Sequence, residues 1–486
     1  MLFNSLAFAL FLPIVFGIYW QLGKHSKGLQ RQNLFLLGAS YFFYAWWDAR
    51  FLALIIISSL ADYLLARQME RQNSKAERKP LLWLSLSINL GLLGFFKYFN
   101  FFIESFVGAF AQIGVHVESP MLNILLPVGI SFYTFQTLSY TIDVYRGKME
   151  AARDPVAFFA YVGFFPQLVA GPIEKARDLL PQFSVPRKFS YPLAVSGLRL
   201  ILYGIIKKVV ISDRLAEYVN LVYAPESTFE GLDVLLGILF FAFQIYCDFS
   251  GYSDIAIGTA RLFGFQLSIN FRTPFFSQSV SELWRRWHIT LNAWFRDYVY
   301  QPLGGRSGSK IRTYINVLIV FLVSGFWHGA AWTYIVWGAI CALFYTLEAL
   351  LGLGGKTYTG LQRWLFTLYT FGTFAFGMVF FRAPSVEVAW EKLGSLSSIF
   401  IQEITLFSHS GTELSQFLSP AQAGIYLSFL LLLFLIFEFK IGLESLDAVL
   451  DKWPRPARWL FYYGLIALLL IFGAYGIPQQ FIYFQF

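Results

Sequence analysis

Apolar runs and charged breaks alternate along the whole chain. Runs at 5–20, 33–47, 51–66, 81–111, 123–145, 155–170 and 191–211 are each followed by a polar stretch. The same alternation continues with 232–247, 313–327, 330–350, 364–381, 422–437 and 459–475. A helix crosses a bilayer in about 20 residues. The pattern predicts an all-α polytopic membrane protein with about ten spans of that length. No internal repeat, low-complexity tract or soluble domain interrupts it, so a single membrane domain over 1–486 is the simplest organisation.

The charged breaks predict a topology, because cytoplasmic loops carry surplus Lys and Arg. Loops 21–32, 67–80 and 146–154 are basic and are placed inside. Loop 112–122 has no Lys or Arg and is placed outside, with the N-terminus. Run 155–170 has basic flanks on both sides and contains Gly163 and Pro166, with Gly171 and Pro172 just after it. It reads as a re-entrant segment, tolerated where protein shields its backbone. The charge rule does not orient 191–211, which carries Lys207 and Lys208 near its end. Stretch 265–312 holds six Lys or Arg between 285 and 312 and reads as the largest cytoplasmic feature, amphipathic or re-entrant. Loop 382–421 is expected outside, loop 438–458 inside, and FIYFQF at 481–486 outside.

Composition changes the picture little. Hydrophobic residues make up 57% of the 486 and charged residues 14%, against roughly 25% charged in soluble domains. The net charge of +8 fits basic cytoplasmic loops better than nucleic-acid binding. Cys247 and Cys341 sit apart in apolar runs, so neither a metal site nor a disulfide framework is expected. The N-terminal run lacks a preceding Lys or Arg and reads as a first membrane helix rather than a cleaved signal.

Histidines are the candidates for chemistry. His25, His116 and His409 lie in polar loops and read as solvated surface. His328 lies in VSGFWHGAAWTYIVWG, deep in an apolar hairpin. An ionisable group in a membrane segment is costly and is a functional candidate. A neutral imidazole there can accept a hydroxyl proton and return it. A histidine merely hydrogen-bonded between helices fits the same pattern. His288 lies in SELWRRWHITLNAWFRDYVYQPLGG. At helical spacing Trp284, Trp287, Leu291, Phe295 and Tyr298 share one face. Arg285, Asn292 and Arg296 line the adjoining side, with His288 at the edge. This pattern predicts a basic amphipathic helix, either on the membrane surface or at the mouth of a site for a phosphorylated donor. Asp248 and Asp254 in QIYCDFSGYSD fall near a predicted span end, as helix caps or as part of a polar network. Phosphate loops, dinucleotide loops and serine-hydrolase elbows have no match.

The two histidine motifs, 40 positions apart, resemble the membrane-bound O-acyltransferase family. LPVGISFYTFQTLSYTIDVYRG, FFPQLVAGPIEK, YCDFSGYSDIAIG and FIYFQF extend the likeness across the chain. The resemblance is to the alginate O-acetylation branch. PLGG at 302–305 and the chain length favour it over the teichoic-acid D-alanylation branch, which takes its acyl group from a carrier-protein thioester. The resemblance implies a ring of helices, with re-entrant segments, around a central tunnel holding His328. It implies that His328 is the catalytic histidine and His288 the second functional one. Trp327, Arg285, Asn292, Arg296 and Asp248 become candidates for holding the donor or supporting the network. No bound cofactor is implied. Acetyl-CoA would enter as donor substrate from the cytoplasm of a bacterial inner membrane, past Arg285, His288 and Arg296. The acceptor would be an exopolysaccharide hydroxyl or a periplasmic SGNH-type acetyltransferase partner. His328 would act as general base, with a transient acetyl-imidazole as the lesser variant. A transporter and an export scaffold are the competing readings; the paired broken repeats of many transporters are not found.

Overall fold

The computed structural model describes residues 1–116, 121–169, 171–400, 420–474 and 480–484. Every regular element among them is helical. Among the described residues, eight helices are long and apolar enough to cross a membrane: Ala49–Glu70, Lys75–Gln112, Gly231–Leu262, Lys310–His328, Trp332–Leu350, Gly360–Arg382, Gly424–Gly442 and Arg455–Phe472. Leu6–Leu22 is a shorter apolar helix. The chain is thus the all-α, multi-pass membrane protein that the alternation predicts. It divides into two compact units, 1–198 with 256–268, and 199–255 with 269–486. His409 and part of the predicted outer loops lie outside the described residues.

In the first unit, local chemistry sets where helices start. Asp48 accepts the Arg50 N–H at 2.9 Å and caps Ala49–Glu70. Ser74 accepts the Glu77 N–H at 3.2 Å and caps Lys75–Leu93. That helix continues through a widened turn, Gly94–Tyr98, into Phe99–Gln112. Ala49–Glu70, Lys75–Leu93 and Ile130–Tyr145 meet around buried Asp62. Its carboxylate accepts from Ser85 Oγ at 2.5 Å and Asn89 Nδ2 at 2.8 Å. Asn89 Oδ1 accepts in turn from Ser58 at 2.7 Å and Thr137 at 3.1 Å. Interhelical polar bonds of this kind join helices where lipid offers no hydrophobic drive.

Residues 155–169 form two short helices, Pro155–Val162 and Phe165–Leu168, and most of them are buried. Gln136 Nε2 donates to the Tyr161 carbonyl at 2.8 Å, and the Phe165 N–H donates to Ser40 Oγ at 3.1 Å. Neighbouring side chains thus bond the backbone on either side of the break.

In the second unit, Gly231–Leu262 runs unbroken for 32 residues. Asp248 and Asp254 lie inside it, so they are not caps. Their counter-charges come from the widened turn Ile206–Ser212. Lys207 pairs with Asp254 at 2.5 Å; Lys208 pairs with Asp248 at 2.7 Å and Asp213 at 2.8 Å. A side chain at Gly204 would strike the Gly251 carbonyl. That close approach brings the two lysines within reach of the acids. It also explains why the charge rule fails on 191–211: both lysines are buried in ion pairs and do not flank a span. Glu438, buried in Pro420–Leu443, accepts from Tyr246 at 2.7 Å and from Tyr203.

Candidate active site

His328 is the last residue of Lys310–His328, and Trp332–Leu350 begins four residues later. The hairpin closes tightly because a side chain at Gly325 would collide with the Tyr334 carbonyl, and one at Gly338 with the Phe321 carbonyl. His328 is buried. Its ring is walled by Trp327 at 5.0 Å, Trp337 at 5.1 Å, Phe381 at 5.3 Å and Tyr483 at 5.5 Å between centroids.

The expected continuous amphipathic helix around His288 is not formed. Two short helices, Val280–Arg286 and Ile289–Phe295, are separated by extended Trp287 and left-handed His288, whose φ is +43°. Left-handed backbone is strained for a non-glycine residue, and strain of this kind persists where the surroundings enforce it. Asn292 is one enforcer. Its Nδ2 donates to the Trp284 and Trp287 carbonyls, both at 2.6 Å, which closes the helix end before the break. Asn270 is another: its carbonyl accepts the Ile289 N–H at 2.9 Å. The apolar face survives in part, since Trp287, Leu291, Phe295 and Tyr298 are buried.

Asn270 also fixes the His288 tautomer. Its Oδ1 accepts from the Thr290 hydroxyl at 2.9 Å and from the Thr290 N–H at 3.4 Å, so this atom is the acceptor. His288 Nδ1, 3.1 Å away, must then carry the proton and donate. Nε2 is left with a buried lone pair and no partner among the described residues. His288 lies outside the membrane-spanning helices, and burial pushes its pKa down from 6.5 to about 3. It is neutral at ordinary pH, with a free acceptor.

The two imidazoles share neighbours. Tyr483 lies 6.3 Å from His288 and 5.5 Å from His328, and Trp327 lies 6.2 Å and 5.0 Å from them. Tyr483 is held there through Ile482, whose N–H donates to Asp248 Oδ2 at 2.7 Å. Asp248 thus reaches the histidines through the segment it anchors, while Lys208 neutralises its other oxygen.

Of the residues singled out in the sequence, His328, His288 and Trp327 converge, and Asp248 supports them. Arg285 and Arg296 are exposed, the latter paired with Asp297 at 2.9 Å. Asn292 is occupied with backbone. Sequence pattern singled out neither Asn270 nor Tyr483. Asn270 precedes the predicted helix in an undistinguished polar stretch, and Tyr483 is one of 27 tyrosines; its place in FIYFQF was the available signal.

An all-helical membrane fold with two buried histidines on shared aromatic walls defines a class. The sequence profile of the membrane-bound O-acyltransferase family matches residues 152–386, which include both histidines. The chain belongs to that family and is an O-acyltransferase. It is 40% identical to the probable alginate O-acetylase AlgI of Pseudomonas syringae pv. tomato, over 82% of this chain and 75% of that protein. It is 34% identical to the peptidoglycan O-acetyltransferase of Helicobacter pylori, over 86% of this chain and 83% of that one. A more distant relative is the teichoic acid D-alanyltransferase of Bacillus subtilis, 27% identical over 54% of this chain and 70% of that one.

Proposed function

We propose that this protein transfers acetyl groups from acetyl-CoA, supplied at the basic loops on the cytoplasmic side, to a hydroxyl on the far side of a bacterial inner membrane. In this reading the N-terminus is periplasmic. The acceptor is an exopolysaccharide hydroxyl, reached directly or through a periplasmic SGNH-type acetyltransferase partner. The observation that carries the reading is the pair of buried imidazoles against Tyr483 and Trp327, one of them with its tautomer fixed and its Nε2 open. The likeness to proteins named for alginate and peptidoglycan O-acetylation supplies the acetyl group and the saccharide class.

His328 takes the proton of the acceptor hydroxyl as its oxygen attacks the thioester carbonyl. The C–O bond forms, the C–S bond breaks, and the departing thiolate receives the proton from the imidazolium. His288, neutral with an open Nε2, accepts a hydrogen bond from the donor or relays a proton. Arg285 and Arg296, both exposed, attract the phosphates of the incoming thioester. The alternative, drawn from the D-alanyltransferase likeness, is a carrier-protein thioester as donor.

The test uses purified full-length protein and radiolabelled acetyl-CoA, comparing wild type with His328→Ala and His288→Ala. Wild type should consume the thioester and pass on the label, while His328→Ala binds CoA without consuming it. Failure of wild type to bind or consume acetyl-CoA, with the acceptor partner present, would reject this donor and turn attention to a carrier thioester.

A further inference from the structure

A recess of about 480 Å³ opens in the first unit, beside the end of Leu6–Leu22. Its walls are Phe16, Trp20 and Phe189, and its cations are Lys24, Arg187 and Lys188. No carboxylate pairs with any of these three cations among the described residues. The sequence agrees, since neither contributing stretch, 1–47 or 179–212, contains an Asp or Glu.

Arg187 is built in rather than draped over the surface. Its Nη2 donates to Asn33 Oδ1 at 2.5 Å and its Nη1 to the Gln182 carbonyl at 3.3 Å. Its guanidinium lies 4.7 Å from the Phe265 ring and 5.7 Å from the Tyr19 ring. All these partners are neutral, so they hold the charge in place without cancelling it. Trp20 is fixed as well, donating from Nε1 to the Leu262 carbonyl at 3.0 Å. Phe189 packs edge-on against Trp20 and Phe16, at 5.5 Å and 6.1 Å.

We infer that this recess binds the headgroup of an anionic phospholipid. Its phosphate would meet Lys24, Arg187 and Lys188, and its glycerol and first chain carbons would lie on the three aromatic rings. A lipid fits better than a soluble phosphate ester because the surface running away from the recess is apolar. The recess walls are themselves aromatic, and in the stretch that supplies Arg187, Lys188 and Phe189 the side chains of Val185, Tyr191 and Leu198 are exposed. Tryptophan and basic side chains at the end of an apolar helix are the chemistry of the membrane interface.

The experiment titrates delipidated full-length protein in neutral detergent with phosphatidylglycerol, phosphatidylcholine or glycerol 3-phosphate, reading bound ligand by native mass spectrometry. Phosphatidylglycerol should bind at least tenfold more tightly than phosphatidylcholine. Each juxtamembrane cation contributes about fivefold, so Lys24→Gln with Lys188→Gln should lose roughly twenty-fold of phosphatidylglycerol affinity. Both lysines are exposed, so the fold does not depend on them. Lys75→Gln with Lys79→Gln, equally exposed and outside the recess, should change nothing. Equal binding of the two lipids, or an unchanged affinity in the Lys24 and Lys188 variant, overturns the inference. Displacement of phosphatidylglycerol by glycerol 3-phosphate at matched concentration overturns the lipid assignment in favour of a soluble phosphate ester.

Discussion

Asp62 and His288 each centre a buried polar cluster, one in each unit, and the two differ in how fully their atoms are bonded. Both carboxylate oxygens of Asp62 accept hydrogen bonds, and the Asn89 side chain beside it uses donors and acceptor alike. That cluster is closed, with nothing left to offer a substrate. The His288 cluster is closed on one side only: Nδ1 is bonded to Asn270, while Nε2 has no partner among the described residues. A buried polar atom without a partner costs about 1–3 kcal/mol, and His288 adds left-handed backbone to that. Burial alone does not distinguish these two clusters; the open Nε2 does.

The sharpest way to break this contrast is to remove the proposed base. His328→Ala should lower thioester consumption by about a thousandfold, within the range for general acid–base catalysis, while the protein stays folded by size-exclusion profile. Asn270→Ala tests the tautomer. Without its acceptor the His288 proton is free to move to Nε2, and turnover should fall about a hundredfold with CoA binding retained. Ile482→Pro deletes the N–H that Asp248 accepts while sparing the Asp248–Lys208 pair. Turnover should fall by about tenfold, with faster proteolysis near 480–484, because an orphaned buried carboxylate oxygen destabilises the docked segment by about 1–3 kcal/mol. A change in proteolysis without a change in turnover would detach Tyr483 from the reaction.

Two further measurements concern stability. Between pH 6.5 and about 3 the unfolded chain protonates His288 while the folded chain keeps it neutral. Stability should therefore fall as pH drops below 6.5, by up to about 1.4 kcal/mol per pH unit from this group. His288→Asn should flatten that slope in thermal unfolding between pH 7 and 5. Asp62→Asn should lower the unfolding midpoint, because an amide keeps only one acceptor oxygen where the carboxylate accepts from both Ser85 and Asn89, at about 1–3 kcal/mol. Activity per folded molecule should stay within about twofold of wild type. A large loss of turnover there would erase the distinction between the clusters.

The helical membrane fold was legible because continuous apolar runs leave few alternatives. His328 was legible because an imidazole between glycines in an apolar hairpin is rare. The rest failed for identifiable reasons. Periodicity through Trp284, Trp287 and Leu291 cannot register one left-handed residue, so the break at His288 was invisible. The choice between cap and polar network for Asp248 and Asp254 stayed open because their counter-charges, Lys207 and Lys208, lie some 40 residues away in another helix. Tyr483 carried no chemical flag in a chain with 20% aromatic residues, and its place depends on a backbone bond to Asp248 that side-chain patterns do not encode.

The glycine contacts of the hairpin also bear on how a ligand reaches His328. Backbone touches side-chain-free backbone at Gly325 and Gly338, which leaves no compressible layer between the two helices. They behave as one stiff beam. Of the rings around His328, those of Phe381 and Tyr483 reach it from outside the hairpin, so in the proposed reaction a ligand would approach past them and not between the two helices.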